Sequence, residues 1–249
     1  MTLGRYLGVA RSLGLYYGIP LRARRMRRFY AGFVPANGLC FDVGAHAGNR
    51  VRCWRSLGAR VVAVEPQPDF VRILQRLFGR DPGVTVLATA LGAADGEARL
   101  WASERTPTVS TLSQAWLARV GNAPSFRGVR WRSGPLVPVT TLDALIERFG
   151  APDFVKVDVE GMEGDVLAGV SQPLKALSFE YLPVARDLAI ACVERLSALG
   201  DYTFNWSPGE ALKLGSDRWC GAREICRWLE GLPEGASSGD VYARLGAGR

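Results

Sequence analysis

A chain of 249 residues, 48% of them apolar, can bury a substantial core, so a single large α/β domain is the economical expectation. No apolar run is long enough to span a bilayer, and the N-terminus lacks the apolar core and cleavage pattern of a signal peptide, so a cytoplasmic protein is expected. The five cysteines (Cys40, Cys53, Cys192, Cys220, Cys226) are scattered with no CxxC pair, and His46 is the lone histidine. That argues against a disulfide framework or a structural zinc site; no metal ligand is assigned, with a divalent cation bridging Asp158 and Glu160 as the less favoured alternative.

Lys and Arg number 31 against 24 Asp and Glu, a formal charge of +7. Much of the excess sits early, in Arg22, Arg24, Arg25, Arg27 and Arg28. Such a patch suits nucleic acid, anionic lipid or an acidic substrate, but no nucleic-acid module accompanies it, and a solvated helix face is the simpler expectation. Leu3, Tyr6, Leu7 and Ala10 fit helical spacing, and Pro20 divides them from a second basic helix through about Phe33. Residues 1–37 thus read as a helical cap on a main domain over 38–249; their amphipathic character would also suit a peripheral membrane contact through Arg22 to Arg28.

The most informative early stretch is Leu39 to Gly48, LCFDVGAHAG. A short apolar run ends in Asp42, two glycines frame a turn, and helical spacing follows from about Asn49 to Leu57. Gly44 and Gly48 permit a sharp turn and a close ligand, and the helix start offers unpaired N–H groups beside Ala45 and His46. Strand, glycine loop and helix in this order form a cofactor site, with a glycine that serves only the turn as the alternative. Arg60 to Val64 is a second, fully apolar-flanked strand that stops at Glu65-Pro66, and Pro68 opens the next helix. Glu65 lies 23 positions past Asp42, where a carboxylate accepts hydrogen bonds from both hydroxyls of a ribose.

Val84 to Leu87 is a third strand, and the small residues after it, Ala90 among them, leave room for a flat ring such as adenine. Asp95-Gly96 turns the chain into a hairpin-like excursion through Trp101. From Thr106 to Gly134 the chain is rich in Thr, Ser, Gly and Pro, with Trp116 and Trp131 interspersed, so 104–136 reads as an insertion or lid. Order returns at VPVTTLD, with a helix to Phe149 closed by Gly150. In FVKVDVEG (Phe154 to Gly161), strand alternation places Val155, Val157 and Val159 on one face and Lys156, Asp158 and Glu160 on the other. Either Lys156 neutralises the acids structurally, or this strand end lines an active site, as carboxyl ends do in open α/β sheets. Glu163 follows in a short helix from Met162 to Val170, where capping is sufficient reason for an acid. LSFEY carries Glu180 at another strand end. A long helix (Val184 to Leu199), closing strands at Tyr202 to Trp206 and Ala211 to Leu214, a helix at Trp219 to Leu229 and an edge strand at Asp240 to Leu245 complete the reading.

FDVGAHAG, AVEP, VPVTTLD and VKVDVEGMEGDVL, in this order over roughly residues 38–181, resemble the FkbM-type family of S-adenosylmethionine-dependent methyltransferases. The resemblance implies a doubly wound, Rossmann-like class I methyltransferase sheet of seven strands, six parallel and one antiparallel, behind the N-terminal cap. It implies S-adenosylmethionine as cofactor, with Asp42, Gly44 and Gly48 in the cofactor loop, Glu65 as the ribose acid, and Asp158 and Glu160 facing the transferred methyl group. His46 departs from the glycine or asparagine that such loops usually carry; an imidazole there still donates to the methionine carboxylate. The implied reaction is O-methylation of a hydroxyl on a small molecule, sugar or secondary metabolite. Asp158 or Glu160 orients or deprotonates that hydroxyl, and Lys156 tunes or holds them. Two rivals share some features: an NAD(P)-dependent oxidoreductase, for which GAHAGN lacks the GxGxxG phosphate cradle, and a non-catalytic adapter binding a polyanion or membrane.

Overall fold

The computed structural model describes residues 20–103, 109–121, 123 and 126–246. The first helical segment expected around Leu3 to Ala10 lies outside the described residues, as does part of 104–136. From Pro20 the chain forms α1 (Pro20–Tyr30), β1 (Leu39–Val43), α2 (Asn49–Ser56), β2 (Arg60–Val64), α3 (Pro68–Phe78) and β3 (Val84–Leu87). It continues as β4 (Ala90–Leu91), β5 (Gly96–Ser103), α4 (Gln114–Val120), β6 (Trp131–Thr140), α5 (Leu142–Phe149), β7 (Phe154–Val157), α6 (Glu163–Ala168) and β8 (Ala176–Tyr181). The last elements are α7 (Arg186–Leu199), β9 (Tyr202–Pro208), α8 (Ala222–Glu230) and β10 (Gly239–Leu245).

Seven strands form one sheet in the order β3-β2-β1-β7-β8-β10-β9. β10 runs antiparallel to both β8 and β9, and the other six are mutually parallel, as the family resemblance implies. Strands β1, β2 and β7 are largely apolar and buried because helices cover both faces, with Asp42 and Lys156 as buried charges among them. On one face Phe41, Val43, Val155, Val157, Leu177 and Phe179 pack under α5 to α8. On the other, Cys40, Val61, Ala63, Phe154 and Tyr242 pack with Met26 and Tyr30 of α1 and Val51 and Trp54 of α2. α1 is therefore part of the core: the Tyr30 ring meets Trp54 and Phe154 edge-on at 5.5 and 5.9 Å, while Arg24, Arg25, Arg27 and Arg28 face outward. No helix among the described residues is long and apolar enough to cross a membrane.

Three expectations need correction, and the 104–136 insertion gains elements of its own. β10 is inserted between β8 and β9 and is no edge strand. Ala211 to Leu214 form no strand. The strand FVKV stops at Val157, so Asp158 to Glu160 belong to a loop whose geometry is not set by strand alternation. The 104–136 range contains the start of β6 and the helix α4, whose cap is the Ser113 side chain accepting from the Trp116 N–H. There Trp116, Val120, Ala123 and Phe126 bury one another beside Trp131, with Leu182, Val184 and Leu188 packed against them. Strands β4, β6 and β5 make a second, three-stranded sheet beside the first.

Candidate functional site

The carboxyl ends of β1, β2, β7 and β8 open onto a cleft of about 280 Å³. Its floor is the loop after β1, pinned to the neighbouring strand because the N–H groups of Gly44 and Ala45 both donate to the Val64 carbonyl, at 2.9 and 3.0 Å. Gly44 sits at φ +82°, and a Cβ there would come 1.9 Å from the Asp158 carbonyl oxygen, so the loop after β7 passes where only glycine leaves room. Gly48 does not line the cleft. It precedes α2 at φ +78°, where a Cβ would press on Phe78 and Leu74 of α3, so a glycine here lets α2 and α3 pack closely. The sequence placed Gly48 in the cofactor loop; the structure places it at the start of α2, outside the lining residues. Asp42, Ala45, His46, Glu65 and Ala90 do line the cleft, together with Gly44.

Glu65 is buried, and its two oxygens accept the N–H groups of Gln67 and His46, each at 2.8 Å. Burial pushes its carboxyl up to about 7, against the pull of those two bonds. Each oxygen keeps a lone pair for a ligand hydroxyl. His46 takes a left-handed backbone conformation (φ 49°), its ring lies 3.6 Å from that of Phe70, and burial lowers its pKa to about 3. The imidazole is therefore neutral at physiological pH. Asp42 is 1% exposed; burial raises its pKa to about 6, opposed by Arg50 and Lys156. Asp42 Oδ2, Asn49 Nδ2 and Gln67 Nε2 are buried in the cleft wall without a hydrogen-bond partner among the described residues. Unmade bonds of this kind are costly and mark where a polar ligand docks. They fit a ligand with a charged amino acid end, a ribose and a base.

The opposite wall is acidic. Asp158, Glu160 and Glu180 each present a carboxylate oxygen within 4.8 Å of the others. Glu180 comes from the end of β8, and adjacency of β7 and β8 brings it to the pair expected from the sequence. Glu160 has φ 54°, and its carbonyl accepts the Thr111 hydroxyl at 2.7 Å. Glu163 fastens this loop by accepting the N–H groups of Val159 and Gly161 at 3.1 and 3.0 Å, a bracing role in line with the capping reading. Lys156 is fully buried and is not among the lining residues. Its ammonium lies 2.8 Å from Asp240 and 3.1 Å from Asp158, so it holds Asp158 in place from behind. Burial disfavours that ammonium, but Asp158 and Asp240 together keep it protonated. In the same way, burial presses the Asp158 carboxyl upward while Lys156 and Arg50 outweigh it and hold it below the usual range. Glu160 and Glu180, with no such partner, are pushed well up by burial and then by neighbouring acids, Asp158 among them. Three hard oxygens at this spacing could be balanced by a divalent cation or by retained protons; the fold supplies a fuller set of such oxygens than residue spacing indicates.

Arg50 and Glu210, absent from the sequence reading, also line the cleft. Arg50 sits in the first turn of α2, where its position after a glycine loop is a usable signal. Glu210 follows β9, and nothing in its local sequence marks it.

The doubly wound sheet in this strand order, with Glu65 after β2 and Asp158 and Glu160 after β7, is that of a class I S-adenosylmethionine-dependent methyltransferase, and S-adenosylmethionine is the cofactor. Residues 42–189 match the family model described as the Methyltransferase FkbM domain; that is more than half of the chain, and the protein belongs to the FkbM methyltransferase family. Hexuronic acid methyltransferase AglP of Haloferax volcanii is 28% identical over 158 residues, covering 58% of this chain and 54% of the relative. The chain thus spans about half the length of that relative. Similar solved structures include a precorrin-6y C5,15-methyltransferase from Geobacter metallireducens, 11% identical with a TM-score of 0.43 over 90% of this chain and 88% of that one. Another is Aeropyrum pernix fibrillarin in complex with S-adenosylmethionine, 10% identical with a TM-score of 0.45 over 85% and 68%. Family membership sets aside the NAD(P)-dependent oxidoreductase reading.

Proposed function

We propose that the protein methylates a hydroxyl oxygen of a sugar or a related small molecule. The observation that carries this reading is the acid set Asp158, Glu160 and Glu180, grouped in the same cleft as Asp42 and Glu65. The bound cofactor supplies a sulfonium methyl group for in-line displacement by the acceptor oxygen. What the chain must add is alignment and a place for the hydroxyl proton. Asp158, kept anionic by Lys156, accepts a hydrogen bond from the acceptor hydroxyl and orients it. Glu160, acting in its ionised form, receives the proton as the oxygen–carbon bond forms, and burial with its acidic neighbours raises its affinity for that proton. A crowd of carboxylates repels a carboxylate acceptor and favours a neutral hydroxyl. The relative named for hexuronic acid supports a sugar as the molecule that carries it.

The test is transfer of label from methyl-tritiated S-adenosylmethionine to a panel of hexuronic acid glycosides and neutral glycosides. Alkali-stable label in a sugar supports an ether product. Alkali-labile label would assign an ester and overturn the hydroxyl reading, and no transfer to any sugar while S-adenosylhomocysteine binds would remove the substrate class. The same outcome is what a non-catalytic adapter gives.

A further inference from the structure

Arg50 is nearly buried, 9% exposed, in the wall of the cleft. Its Nε donates to the Tyr30 hydroxyl at 3.2 Å, and Nη2 reaches Glu210 Oε1 at 3.4 Å. The second contact is long for a charge-assisted bond, and the other N–H donors of the guanidinium take no partner among the described residues. Tyr30 is itself fully buried in the core, so the guanidinium is aimed and held from behind. Glu210 is also gripped by Arg22, at 3.1 Å, and its side chain is 44% exposed.

The two orphan atoms Asp42 Oδ2 and Asn49 Nδ2 belong to residues lining the same cleft as Arg50, and the Arg50 charge acts on Asp42. A buried acceptor and an unsaturated fork of donors, of opposite charge and in one wall, match a zwitterion: an ammonium seeks the carboxylate, and a carboxylate seeks the guanidinium. We propose that Arg50 is the receptor for the carboxylate at the amino acid end of the cofactor, with Tyr30 as its positioning residue and Glu210 as the internal carboxylate that competes for it. This rests on S-adenosylmethionine occupying the Asp42–Glu65 side of the cleft, and it assigns to α1, through Tyr30 and Arg22, a part in cofactor binding.

The experiment compares two ligands by calorimetry: S-adenosylhomocysteine, which has the amino acid end, and 5′-methylthioadenosine, which lacks it. Arg50→Met is expected to weaken S-adenosylhomocysteine by about tenfold to a hundredfold and to leave 5′-methylthioadenosine within about twofold. Arg50→Lys recovers part of the loss, since an ammonium keeps the charge and loses the fork. Glu210→Gln, which removes the competitor without touching the buried core, tightens S-adenosylhomocysteine alone. Equal weakening of both ligands by Arg50→Met, with no tightening in Glu210→Gln, would show a structural role and overturn the assignment. Unchanged binding of both with a raised KM for a uronic acid acceptor would give the carboxylate to the acceptor instead. Failure of both ligands to bind the unaltered protein would strike the cofactor placement, a separate result.

Discussion

Glu65 and Glu180 stand at corresponding places, near the carboxyl ends of two parallel strands, yet their surroundings treat them differently. Each Glu65 oxygen takes a fixed backbone N–H, so the carboxylate is oriented before any ligand arrives. Glu180 faces Asp158 and Glu160, with one oxygen from each inside 4.8 Å, and Lys156, the ammonium behind Asp158, is shared with Asp240. An acid solvated by backbone donors is built to hold hydroxyls. An acid crowded by acids is built to hold a proton or hand one over. Under the proposed function the cleft divides into a gripping half at β1 and β2 and a proton-handling half at β7 and β8.

Substitutions that preserve shape should separate these halves. Asp158→Asn and Glu160→Gln are expected to lower turnover about a hundredfold or more while the dissociation constant of S-adenosylhomocysteine stays within a few-fold; equal loss of binding would erase the division. Lys156→Met leaves Asp240 and Asp158 without their buried partner and should lower stability by about 3–5 kcal/mol, read from the urea midpoint. Glu65→Ala is the converse case, with cofactor affinity falling roughly tenfold to a hundredfold and turnover at saturating cofactor nearly kept.

The smallest effect is a pH dependence. The folded Glu65 carboxyl, at about 7, lies above its unfolded value of 4.5, so the folded chain binds the proton more tightly. Its contribution is fully present below the unfolded value and is lost as pH rises toward 7. Glu65→Gln should therefore flatten the fall in stability between pH 5 and pH 8, by on the order of 2 kcal/mol. Superimposable stability differences at both pH values would count against the buried, ligand-ready carboxylate.

The gripping half was readable because it is contiguous: Asp42 to His46 form one string, and Glu65 ends the next strand. Even there, the sequence does not separate the two glycines: Gly44 lines the cleft, whereas Gly48 faces Phe78, a contact set by how α3 returns across α2. The proton-handling half was readable in kind but not in arrangement. Alternation put Lys156 with Asp158 and Glu160 in the site, but the strand ends at Val157, and the lysine partner lies 84 positions later. Arg50 meets Glu210 across 160 positions, and no local pattern encodes such a pairing. The helical cap was read as packing on the main domain, and its second helix, α1, does so through Tyr30 and Met26, which pack with Phe154 and Trp54.

A crystal structure with S-adenosylhomocysteine tests the two-halves account most directly. The account predicts ribose hydroxyls on the Glu65 carboxylate and the sulfur turned toward Asp158 and Glu160. A ribose bound elsewhere, or a sulfur facing away from those acids, would contradict it.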